Sequence, residues 1–178
     1  MTAKPSHVLE IFLQPGEFYF GDESTRIRTL LGSCISITLW HPRRCIGGMC
    51  HYMLPSRGGN RAVAPDGRYA DEVIALFLRE IALARTHPED YEVKLFGGGN
   101  MFPRHTEKWK KNRQAAGLAR GGCESISLRN IEAGRNLMER YGFRIKTENV
   151  GGDGRRHVIF DIWSGHVWVR HNKEADSP

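Results

Sequence analysis

The sequence predicts an α+β fold, with mixed sheets flanked by helices. Short runs alternate apolar and polar residues with the period of a strand, and only two segments carry the spacing of a helix. The strands and helices do not alternate regularly, so the pattern is not a repeated βαβ array.

Glu17-Phe18-Tyr19-Phe20 reads as a short strand after the Pro15-Gly16 turn, and Ile27 to Leu31 as a second. Ile35 to Leu39 alternates apolar and hydroxyl residues, the pattern of a half-buried strand, and His41-Pro42 ends it. From Asp71, the residues Val73, Leu76, Phe77, Ile81 and Ala84 recur at helical spacing, with Asp71-Glu72 at the end where the helix dipole favours acids. Glu92 to Phe96 is a strand entering Gly97-Gly98-Gly99, and residues 103–122 read as a long basic loop. A second helix spans Ser127 to Tyr141 with Leu128, Ile131, Leu137, Met138 and Tyr141 on one face, and Gly142 suits the left-handed position after it. Val158, Phe160 and Ile162 alternate in a strand, and Ser164-Gly165 turns it into a hairpin with His166 to Arg170.

With no linker or internal repeat, 178 residues make one domain over 1–171 and a polar tail, expected to be disordered, over 172–178. A chain of that length buries roughly 70% of its unfolded surface, so its core requires neither disulfide nor metal. No apolar run is long enough for a bilayer, and no basic segment followed by an apolar one opens the chain. The expected location is the cytoplasm, where Cys34, Cys45, Cys50 and Cys123 are reduced thiols. The net charge of +6 is partly gathered in Lys108 to Arg113, which reads as a solvated loop or a contact for an acidic partner. A nucleic-acid role is disfavoured because no periodic aromatic platform accompanies that run.

Two residues carry the chemistry. Cys34 opens a strand after Gly32-Ser33, and parity sets it with Ser36 and Thr38, opposite Ile35, Ile37 and Leu39. By position alone it is either a small core residue or a nucleophile. His51 follows Gly47-Gly48, where a returning strand brings an imidazole beside the thiol and within roughly 3–4 Å of it. A free thiol is mostly protonated at neutral pH, so a nucleophilic cysteine needs such a base. Cys50, next to His51, points to the opposite face, and Cys45 lies in a turn without a base. Cys45, Cys50 and His51 have tolerable zinc spacing but no second ligand pair, so neither metal nor cofactor is expected.

The segments Leu31-Gly32-Ser33-Cys34, Gly47 to Pro55, Gly67 to Asp71, Phe96 to Phe102, Arg129-Asn130-Ile131-Glu132-Ala133 and Val150-Gly151-Gly152 resemble the CheD family of chemoreceptor glutamine deamidases. The resemblance spans about residues 16–171 in the family's order. It implies a β-sandwich of mixed sheets with helices outside, like the catalytic domains of glutamine-deamidating toxins. It also implies Cys34 as nucleophile, His51 as base, chemoreceptor cytoplasmic domains as protein substrate and the CheC phosphatase as a further partner. A non-catalytic adaptor docking on receptors or on CheC is the alternative. Some members carry a Thr six residues before the Cys. Arg28 stands there in this chain, and Thr29 is the candidate third member. Backbone N–H groups around Ser33-Cys34 are expected to face the oxyanion.

Overall fold

The computed structural model describes residues 7–58, 64–101 and 126–172. Its strands are β1 (Leu9–Leu13), β2 (Phe18–Gly21), β3 (Thr25–Leu31), β4 (Ile35–His41), β5 (Ile46–Cys50), β6 (Glu92–Gly97), β7 (Ile145–Val150), β8 (Arg155–Asp161) and β9 (His166–Asn172). Helix α1 (Ala70–Leu83) precedes β6, and α2 (Ile126–Arg140) precedes β7. One sheet has the order β1-β3-β8-β9 and the other β2-β5-β4-β6-β7. Each sheet contains one parallel pair, β1 with β3 and β6 with β7, so both are mixed as expected.

Two cores define three layers. Leu13, Ile27, Leu31, Val158 and Phe160 from the first sheet meet Met49 and Phe96 from the second, which is the interior of a sandwich. Ile35, Ile37 and Leu39 on the other face of β4 pack against Val73, Ile74 and Phe77 of α1 and Ile131 and Met138 of α2. Both helices therefore cover the outer face of the five-stranded sheet.

Three expectations need correction. β4 is not half-buried: Ser36 and Thr38 are as enclosed as its apolar face, because the four-stranded sheet covers them. The inward stripe of α2 is Ser127, Asn130, Ile131, Gly134 and Met138, while Leu128 and Tyr141 stay exposed. This rotation lets the helix approach closely: Gly134 has room for no Cβ, since one would lie 2.5 Å from the Tyr52 hydroxyl. Strands β1 and β7 have no counterpart in the sequence reading, and β9 runs one residue into the expected tail. The basic segment Lys108 to Arg113 and Cys123 lie outside the described residues. Gly142 takes the expected left-handed conformation, with φ 77°. No described helix is long and apolar enough to cross a membrane.

Candidate active site

Cys34 follows the sharp Gly32-Ser33 turn at the head of β4, and neighbouring backbone fixes that turn. Gly98 N–H donates to the Cys34 carbonyl and Gly99 N–H to the Gly32 carbonyl, each at 2.8 Å. The glycine run is needed here because a Cβ on Gly97, itself at φ +110°, would collide with the Cys34 carbonyl oxygen. Parity holds as expected, in that Cys34 packs against the core between the sheets.

His51 lies just beyond β5. The antiparallel register runs from Thr38↔Met49 to Ile35↔Tyr52, so His51 stands across from Ser36 and diagonally from Cys34 on the same face. Its backbone is held on the other side, accepting from Gly16 N–H at 2.7 Å and donating to the Glu17 carbonyl at 2.9 Å. The ring reaches across the sandwich to β3, where Nδ1 meets Thr29 Oγ1 at 2.8 Å. Thr29, not Arg28, turns inward: Arg28 is exposed and pairs with Glu10 at 3.1 Å.

The tautomer follows from counting hydrogens. Thr29 spends its only hydroxyl hydrogen on the Leu13 carbonyl, 2.8 Å away, so it can only accept from His51. The ring hydrogen therefore sits on Nδ1, and Nε2 keeps its lone pair. Nε2 is buried, with no hydrogen-bond partner among the described residues. The expected thiol–imidazole contact thus stops short of a hydrogen bond in the resting protein, as is common before substrate binds.

Burial dominates both ionisations. It lowers the His51 pKa to about 4, against smaller upward pulls from the Leu13 carbonyl and Glu17. It raises the Cys34 thiol, and the Ser33 hydroxyl bonded to it offsets only part of that rise. Thiol and imidazole are thus both neutral at rest, which suits a base that removes the proton during attack better than a standing ion pair. Cys50 sits on the helix-facing side, fully buried, with its thiol pushed up to about 12. Cys45 occupies a turn at φ 48°. The described residues contain no cluster of three or more His, Cys, Asp or Glu able to hold a metal.

Asn130 of α2 lies behind the nucleophile turn, its side-chain nitrogen 3.3 Å from the Ser33 carbonyl and 2.7 Å from the Met53 carbonyl. Sequence reasoning placed it in a family segment but gave it no contact. A polar residue between Ser127, Ile131 and Gly134 on the inward stripe was the available signal.

The family described as CheD chemotactic sensory transduction matches residues 53–171. The chain belongs to the CheD family. A Dechloromonas aromatica protein named probable chemoreceptor glutamine deamidase CheD 3 is 48% identical over 177 residues, covering 99% of this chain and 96% of that one. A Pseudomonas fluorescens protein named probable chemoreceptor glutamine deamidase CheD is 46% identical, covering 94% and 88%. A Leptospira interrogans protein named probable chemoreceptor glutamine deamidase CheD 1 is 36% identical, covering 95% and 96%. The match to CheD relatives therefore runs nearly end to end and includes the segments carrying Thr29, Cys34 and His51.

Proposed function

We propose that this CheD protein deamidates glutamine side chains of chemoreceptor cytoplasmic domains, with Cys34 as nucleophile and His51 as base. The observation that carries the reading is the chain Leu13 carbonyl, Thr29 hydroxyl, His51 Nδ1, which leaves a bare Nε2 on the face of Cys34. The names of the relatives supply the substrate class.

In the first step His51 Nε2 takes the thiol proton as Cys34 Sγ forms a bond to the amide carbon. The C–N bond then breaks, and the same nitrogen returns the proton to the departing ammonia. Water, deprotonated by Nε2, attacks the thioester. Glutamate leaves and the thiol recovers its proton. Thr29 holds the imidazole in the tautomer that both half-reactions require. No cofactor enters the balance, since the amide, the thiol and water supply every atom.

The test is ammonia release from a receptor cytoplasmic fragment. Cys34→Ala is expected to abolish release while still binding the fragment. Undiminished release by that variant refutes the nucleophile, and binding without release by the unaltered protein favours an adaptor.

A further inference from the structure

We infer that Asn130 is a positioning residue for this reaction, holding the Ser33–Cys34 peptide so that the Cys34 N–H faces the oxyanion. The inference rests on the amidase reading above. Three consecutive carbonyls of the nucleophile turn are each held: Gly32 by Gly99 N–H, Ser33 by Asn130 Nδ2, and Cys34 by Gly98 N–H. The N–H groups of Ser33 and Cys34 have no hydrogen-bond partner among the described residues. The turn thus has its acceptors satisfied and its donors free, the electrostatic arrangement that receives a developing negative charge.

Direction follows from peptide geometry. None of the described peptide bonds is cis, so C=O and N–H of the Ser33–Cys34 unit point opposite ways. Asn130 draws the carbonyl toward α2, on the outer face of the five-stranded sheet. The Cys34 N–H then points toward the inter-sheet side, where Cys34 Sγ and His51 also lie. Gly98 and Gly99 restrain only the flanking peptides, so a side chain must set the middle one.

The amide orientation is fixed, because the Ser33 and Met53 carbonyls can only accept and the NH₂ must face both. Asn130 is fully enclosed, and its Oδ1 is buried with no partner among the described residues. Its own backbone carbonyl accepts from the Tyr52 hydroxyl at 2.7 Å, which ties α2 to the strand segment next to His51.

The experiment uses Asn130→Ala and Asn130→Ser in the full chain with a receptor fragment. The expected result is a kcat for ammonia release lowered about 100-fold, with KM nearly unchanged. Alkylation of Cys34 by iodoacetamide, resolved by peptide mass, is expected to keep its unaltered rate, because that displacement forms no oxyanion. Alkylation falling in step with release, or release at the unaltered rate, overturns the inference. Should both variants fold poorly, the unaltered protein decides. A receptor peptide carrying an aldehyde in place of the glutamine amide adds the Cys34 thiol across its C=O, forming a C–S bond while the thiol proton passes to oxygen. The Cys34 amide proton resonance is expected to move downfield in that adduct, and an unmoved resonance overturns the inference. Failure of the parent reading looks different: Cys34→Ala then releases ammonia and the aldehyde does not label Cys34.

Discussion

Replacing Thr29 by Val keeps the shape of the side chain and deletes the hydroxyl that links Leu13 to His51. Two hydrogen bonds of 2.8 Å are lost, one from Thr29 to the Leu13 carbonyl and one from the ring to Thr29. The Leu13 carbonyl also acts on the ring, so Nδ1–H has one acceptor to turn to, and the net cost is about 1–2 kcal/mol. Turning the ring moves Nε2 from its resting position, and a misplacement of about 1 Å lowers turnover about 100-fold. Ammonia release gives the rate, and thermal unfolding followed by circular dichroism gives the stability. Thr29→Ser, which restores the hydroxyl, is expected to recover most of the activity. Arg28→Ala is expected to change little, since its exposed pair with Glu10 is worth under about 1 kcal/mol. Full activity in Thr29→Val, or a Thr29→Ser as slow as the Val variant, refutes the orienting role.

Two further outcomes follow from the ionisations. The folded protein holds His51 near pKa 4, below the ordinary 6.5, so the unfolded chain binds the extra proton first as pH falls. Stability from this group is present above about pH 6.5 and is lost toward pH 4, a change of roughly 3 kcal/mol at full loss. Denaturant unfolding across that range is expected to show the decline, and His51→Gln to flatten it; an unchanged acid limb in the variant contradicts the buried neutral imidazole. For Cys34, whose thiol is raised by burial, alkylation is expected to be slow at neutral pH and to climb through the alkaline range. A rate flat from about pH 5 to pH 8 would instead indicate a standing thiolate–imidazolium pair.

The sequence exposes the site unevenly. Strand parity is enough to set Cys34 opposite Ile35 and Ile37, and His51 opposite Cys50, because both strands are central and regular until the ladder opens. It fails to reveal that the hydroxyl face of β4 is enclosed, since burial against another sheet depends on residues far along the chain. Counting back six residues lands on Arg28, but Thr29 shares parity with Ile27 and Leu31, and that face is the one turned inward. Strands β1 and β7 escape notice for a different reason. They are edge strands, and β7 (Ile-Lys-Thr-Glu-Asn-Val) has four exposed residues in a row, so no apolar alternation marks it. The register of α2 is not legible from apolar spacing, because Leu128 and Tyr141 are large and apolar whereas close packing there selects the small Gly134 and the polar Asn130.

The central claim is a covalent thioester on Cys34, and interception by hydroxylamine tests it most directly. With the unaltered protein and a receptor fragment, hydroxylamine is expected to capture the acyl group, so that the same glutamines yield hydroxamate as well as glutamate and Cys34→Ala yields neither. Glutamate as the sole product at every hydroxylamine concentration, with ammonia still released by Cys34→Ala, would contradict it.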